Sequence, residues 1–174
     1  IGVYRKTHLP FLGIDRFATP GPGPYQVFQT PFGRIGVLIY YDIRFPEPSR
    51  CLTLLGADLL LLPTNWPPGA DGSPDFTVQA RAAENRVYVV AVNRAGVERG
   101  VAFIGKSQIV APGGKRLVMA ETTGETMICA SLDPTMARQK RVAITPGVFE
   151  IDTVGGRRPE LYEALDLKWR DTTP

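Results

Sequence analysis

The segment Arg34–Pro48, RIGVLIYYDIRFPEP, constrains the fold more than any other part of the chain. Ile35–Tyr41 is a continuous apolar run. A strand with one wet face would alternate, so a run without alternation fits a strand buried on both faces. Pro46 and Pro48 then open a helix, because the first helical turn leaves N–H groups unpaired and loses nothing when proline lacks one. The helix is predicted through about Leu55, with Gly56 as its C-terminal cap. Two further apolar runs, Asp58–Leu62 and Val87–Asn93, repeat the pattern. Between them Ser73–Pro74 is a good helix start, a hydroxyl cap followed by proline. That helix is predicted to about Asn85, with Phe76, Ala80, Ala83 and Val87 along one face. Strands alternating with helices argue the α/β class.

The flanks are less regular. Ile1–Tyr4 reads as the end of a strand, so the sequence is expected to begin inside a domain. Residues Lys6–Gly33 are dense in proline and glycine, with a short strand at Tyr25–Gln29; long ordered loops are uncommon and tend to be functional. After Asn93, Phe103–Ala111, Leu117–Ala120 and Thr126–Leu132 read as strands, joined by turns at Pro112–Gly114 and Thr122–Glu125. These hairpins make the expected sheet mixed. Asp133–Pro134 starts a short helix to about Arg141. The tail from Thr145 is mixed, with a helical stretch at Arg157–Leu165.

Composition narrows the function classes. At 174 residues, 44% hydrophobic and 21% charged, the chain suits one soluble domain over residues 1–174. No run approaches the ~18 apolar residues of a membrane span. The first residues lack the charged head and apolar stretch of a secretory signal, so a cytoplasmic protein with no membrane partner is expected. The net charge of +3 comes from 20 basic and 17 acidic residues. The basic ones are scattered, whereas nucleic-acid binding calls for a basic stripe or a known module. Cys51 and Cys129 sit among apolar residues and read as two buried, reduced thiols rather than a disulfide. With His8 the single histidine, no metal site is expected.

A side chain at the end of a buried strand, just before a helix, is exposed by the turn. The N–H groups at the helix start can also hold a developing oxyanion. Such units are common, so residue identities have to decide. The pattern Gly36–x–x–Ile39–Tyr40–Tyr41–Asp42–x–Arg44–Phe45–Pro46–Glu47 resembles the signature of the nitrilase superfamily of carbon–nitrogen hydrolases. That family carries cysteine where Tyr40 stands. Upstream, Tyr4–Arg5–Lys6–Thr7–His8–Leu9–Pro10 resembles the block that holds the family's catalytic lysine. Downstream, Gly56–Ala57–Asp58, Pro63–Thr64–Asn65–Trp66–Pro67, Ala80–Arg86, Asn93–Arg94–x–Gly96 and Phe103–x–Gly105–x–Ser107 follow in the family's order.

The resemblance implies a nitrilase-like αββα sandwich and hydrolysis of a small amide or nitrile by a Glu–Lys–Cys triad. Glutamate acts as base, cysteine forms an acyl-enzyme, and lysine steadies the developing charge. No cofactor or metal is implied. Self-association is, so a homo-oligomer is expected, with residues 145–174 as an oligomer contact. By position Lys6 matches the lysine, against the plain reading of a surface lysine at a strand end. Asp15 lies where a supporting carboxylate often stands, against a simple turn aspartate. The Tyr41 N–H matches an oxyanion donor. Asn65 and Trp66 match pocket-lining residues, against a loop asparagine and a rim tryptophan. Arg44, Glu47 and Glu84 read as ion-pair members, and His8 as a packing or hydrogen-bonding residue.

Two departures strike catalysis. A phenol titrates near ~10 and a thiol near ~8.5, and the phenol is bulkier and less nucleophilic. Cys51, in the following helix beside Leu52, Leu54 and Leu55, reads as a core residue rather than a substitute. The part of the domain that supplies the glutamate is expected to be missing, which would leave an exposed sheet edge and an uncovered apolar face. The sequence thus predicts a carbon–nitrogen hydrolase domain inactive as written. The alternative is a non-catalytic binding or interaction module that retains the fold.

Overall fold

The computed structural model describes residues 1–168. In chain order its elements are β1 (Val27–Thr30), β2 (Gly33–Val37), α1 (Pro46–Leu54), β3 (Leu59–Thr64), α2 (Val78–Asn85), β4 (Tyr88–Asn93), β5 (Val97–Glu98), β6 (Val101–Ala102), β7 (Gln108–Val110), β8 (Arg116–Met119), α3 (Pro134–Arg138), β9 (Arg141–Thr145) and β10 (Phe149–Asp152). Six strands form one sheet in the order β1-β2-β3-β4-β7-β8. The centre is parallel, with Ile35 opposite Leu59 and Leu61 opposite Val90. The β1–β2, β4–β7 and β7–β8 pairs are antiparallel, so the sheet is mixed.

The two faces of the sheet differ. Leu60, Leu62, Val89 and Ala91 point to one side and are buried there with Leu52 of α1 and Val78 and Ala82 of α2. On the other side Tyr88 and Ala111 are covered by Ala137 of α3, with Leu59 and Leu132 alongside. Farther along that face cover runs out: Ile35, Val37, Leu61 and Val90 are half-buried and Val92 is 57% exposed. No helix of the described residues is long and apolar enough to cross a membrane.

Several sequence expectations are corrected. The run Ile35–Tyr41 is not all strand: β2 starts at Gly33 and stops at Val37. The Ile39 N–H is taken by the Asp42 side chain at 2.9 Å, so the chain turns before the apolar run ends. Ile1–Tyr4 belongs to no sheet among the described residues. Tyr4 and Thr7 hold this segment by their hydroxyls, with a Gly21 N–H to Lys6 O bond of 2.8 Å. The strand expected from Phe103 begins only at Gln108, because Gly105 (φ 65°) and Lys106 (φ 59°) are both left-handed. Thr126–Leu132 makes no ladder among the described residues, although Ile128, Ala130 and Leu132 are more covered than their neighbours, as period-two alternation requires.

The helix starting at Ser73 buries a different face from the one expected. Ser73–Thr77 is a π-helical turn, and its wider winding shifts the phase of the residues after it. Pro74, Val78, Ala82 and Asn85 are buried, whereas Phe76 and Ala80 are exposed. Asp133 caps α3 by accepting from the Thr135 N–H at 2.9 Å, but the helix ends at Arg138 and Arg141 opens β9. β9 and β10 form a hairpin in the tail. Arg157–Leu165 contains two short 3-10 turns, Pro159–Leu161 and Glu163–Asp166, rather than one helix. Cys51 and Cys129 are exposed thiols, not buried ones. On α1 it is Leu52 and Thr53, the residues after Cys51, that turn inward.

Candidate active site

The corner between β2 and α1 is a 3-10 turn, Tyr40–Arg44. Its first residue has φ 46°, in the left-handed region. A non-glycine residue there stores on the order of 1–3 kcal/mol of strain, and such strain collects at functional sites. The turn is clamped at its entry, where Asp42 accepts from the Ile39 N–H at 2.9 Å and the Asp42 N–H donates to Ile39 O at 3.1 Å. From behind, Arg81 of α2 donates to Ile43 O and Arg44 O, both at 3.1 Å. The Tyr41 N–H stands in the first turn, where no carbonyl of that turn can accept it.

Lys6 reaches this corner from the N-terminal segment. Its ammonium pairs with the Asp15 carboxylate and lies 5.2 Å from the centre of the Tyr40 ring. The Lys6 side chain is 13% exposed, so the pair is shielded from bulk solvent. Asp15 is carried by a 3-10 turn, Gly13–Phe17. The structure therefore brings Lys6, Asp15 and Tyr40 together, from parts of the chain up to 34 positions apart.

Beneath them lies Asp42, whose side chain is 0% exposed. Its Oδ2 accepts from the Tyr4 hydroxyl at 2.8 Å and the Ile39 N–H at 2.9 Å. Its Oδ1 accepts from the Thr7 hydroxyl at 3.0 Å, the His8 N–H at 2.9 Å and His8 Nδ1 at 2.9 Å. An ionised carboxylate can only accept, which assigns the proton of the His8 ring to Nδ1 on that side. The His8 ring also stacks on Phe45, centroids 4.2 Å apart. The Tyr25 hydroxyl joins the network 3.0 Å from Thr7 Oγ1. Burial pushes the Tyr4 and Tyr25 phenols above their ordinary pKa, with the neighbouring Asp42 charge adding to it. Both are therefore neutral donors near pH 7.

The other two sequence candidates lie on the loop after β3. Asn65 is exposed. The Trp66 ring is 1% exposed and sits inside the core. Its backbone N–H donates to Asn93 Oδ1 at 2.6 Å, and its carbonyl accepts from the Ile104 N–H at 3.1 Å. Sequence reasoning missed Tyr4, Thr7 and Tyr25 as a set joined on Asp42. The one available signal was that an aspartate directly after an apolar run must find donors when buried. No group of His, Cys, Asp or Glu side chains that could hold a metal occurs among the described residues.

Residues 1–142 match the carbon-nitrogen hydrolase family. The chain belongs to that family. A nitrilase of Pyrococcus abyssi is 40% identical over 164 residues, which cover 93% of this chain and 58% of that protein. N-carbamoylputrescine amidase of Arabidopsis thaliana is 35% identical over 183 residues, 95% of this chain and 59% of its own length. Among solved structures, the NitN amidase of Nesterenkonia sp. AN1 superposes with a TM-score of 0.76 at 27% identity, over 93% of this chain and 57% of that one. A variant of that amidase carries the acetamide moiety of fluoroacetamide covalently on its active-site cysteine. The mixed α/β arrangement of this carbon-nitrogen hydrolase domain is that of these nitrilase-fold structures. The chain spans under three fifths of the length of these relatives.

Proposed function

We propose that this carbon–nitrogen hydrolase domain retains the reactive corner for a small amide or nitrile but does not turn substrate over while Tyr40 occupies it. The observation that carries the reading is the strained turn at Tyr40, φ 46°, with the Lys6 ammonium 5.2 Å from its ring. In the chemistry the family resemblance implies, a thiolate at this position adds to the amide carbon. The C–N bond breaks as the nitrogen takes a proton and leaves as ammonia or an amine. Water then cleaves the thioester to the acid. Lys6, the Tyr41 N–H and Asp15 support the first step by charge, by donation to the oxyanion and by orienting Lys6.

Tyr40 removes the first step. A phenol oxygen is a weaker nucleophile toward an acyl carbon than a thiolate. The Tyr40 ring packs against the core and is bulkier than the thiol the reaction uses. The finer assignments are part of the same proposal: Asn65 and Trp66 belong to the pocket side of the domain, the protein assembles as a homo-oligomer through the tail from residue 145, of which 169–174 lie outside the described residues, and the compartment is the cytoplasm. The test is ammonia release from short aliphatic amides and nitriles by the whole protein. No turnover is expected with Tyr40; measurable turnover is expected with Tyr40→Cys in a protein that also supplies the glutamate base. Turnover by the Tyr40 protein that survives blocking of Cys51 and Cys129 would sink the inactivity, and the residue roles with it.

A further inference from the structure

We propose that Asp42 is a positioning residue of this corner: it sets where the backbone strip that carries Lys6 stands relative to whatever side chain occupies position 40, while Asp15 pairs with the ammonium itself. The inference rests on the reading of position 40 as the nucleophile position. Lys6 belongs to a segment that lies in no sheet, so backbone ladders do not fix its place. Side chains do. The Tyr4 hydroxyl, the Thr7 hydroxyl, the His8 N–H and the His8 ring all donate to Asp42, at 2.8–3.0 Å. These donors flank Lys6 on both sides in sequence. The remaining bond comes from the Ile39 N–H, on the entry side of the turn. One buried carboxylate thus ties the strip that carries Lys6 to the residue immediately before Tyr40. Its bonds go to Lys6's chain neighbours, so it acts through position rather than by touching a reacting group.

The test reads the thiol introduced by Tyr40→Cys in the whole protein. Its rate of alkylation by iodoacetamide is measured against pH, and the labelled residue is located by mass spectrometry. A cation within about 4–6 Å lowers a neighbouring acid's pKa by roughly 1–3 units, so Lys6 should hold this thiol below its ordinary value of about 8.5. Adding Asp42→Asn should raise the midpoint by about one unit, a roughly tenfold slower reaction below it. Removing a buried negative charge would on its own lower the midpoint, so the expected sign opposes the direct electrostatic effect. The rise should disappear when Lys6→Gln is also present, because no ammonium is left to misplace.

If Asp42→Asn does not fold, as judged by circular dichroism, Tyr4→Phe combined with Thr7→Val should give a smaller rise of the same sign. An unchanged or lowered midpoint in the folded variant overturns the proposal. So does a rise of equal size with and without Lys6, which a purely structural role would give. These readouts need no turnover. If Tyr40→Cys releases no ammonia in a protein that also supplies the glutamate base, the proposed function fails while the thiol midpoint still reports on Asp42.

Discussion

Asp58 offers a test of what ties β2, β3 and α3 together. It sits just ahead of β3 and is 2% exposed. It accepts from the Arg34 N–H at 3.0 Å, from Arg34 Nε and Nη2 at 3.3 and 2.9 Å, and from Arg138 Nε and Nη2 at 3.1 and 3.0 Å. Two guanidinium forks on one carboxylate join the start of β2, the start of β3 and α3. Removing one partner of a buried pair costs about 3–5 kcal/mol. Arg138 is half-exposed and Arg34 partly so, and solvent weakens such pairs. Asp58→Asn is therefore expected to lose about 3 kcal/mol, or roughly 6–12 °C in Tm for a domain of this size. The loss should also depend on pH. Burial works to raise the Asp58 pKa, but the bonds from Arg34 and Arg138 outweigh it and hold the carboxyl well below the usual range. Stability from a carboxyl depressed on folding is complete above its unfolded value, about 3.9. It drains away as pH falls toward the folded value. Urea unfolding of both proteins should show the full difference at pH 7 and a clearly smaller one at pH 3. A difference under about 1 kcal/mol at pH 7, the scale of an exposed pair, would refute the reasoning. So would an equal difference at both pH values.

Other expectations rest on single contacts. A Cβ on Gly36 would lie 2.9 Å from Leu60 Cδ2 and 3.0 Å from Leu52 Cδ1. Gly36→Ala should therefore cost about 1–3 kcal/mol by overpacking, read by urea unfolding; a neutral substitution would show that α1 does not lie so close to β2. Cys51 and Cys129, both exposed, should react with Ellman's reagent in the native protein, and a need for denaturant would contradict their placement. Lys140 donates to Asn85 O and Arg86 O at the end of α2, and burial lowers its pKa to about 8 from 10.5. The unfolded chain then binds more protons across that interval, so stability should rise from pH 8 to pH 10.5 relative to Lys140→Met. A difference flat in pH would refute it.

Much of this architecture is readable from residue pattern, and the exceptions have physical causes. β3, β4 and α1 announce themselves because unbroken apolar runs and paired prolines have few other uses. The end of β2 is not readable, since nothing local says that the Asp42 side chain will take the Ile39 N–H in place of a neighbouring strand. The buried face of α2 escapes hydrophobic phase counting because that counting assumes 3.6 residues per turn from the first residue, and Ser73–Thr77 winds wider. Cys51 has apolar neighbours in sequence, but on a helix adjacent residues point in different directions, and Leu52 rather than Cys51 faces the sheet. Lys6, Asp15 and Tyr40 can be named from family resemblance and do meet in space. The carboxylate that joins their segments is visible only as one letter of a motif, because four of its donors come from Tyr4, Thr7 and His8, 34 to 38 positions away.

As proposed, position 40 is a prepared reactive corner whose tyrosine is the obstacle. A short pulse of iodoacetamide at pH 6.5 on the Tyr40→Cys protein, with peptide mapping afterwards, compares three thiols in one sample. Residue 40 should be labelled well ahead of Cys51 and Cys129, because Lys6 stands beside it and the turn presents it, and Lys6→Gln should remove the lead. Labelling of residue 40 no faster than that of the two exposed cysteines would contradict the proposal.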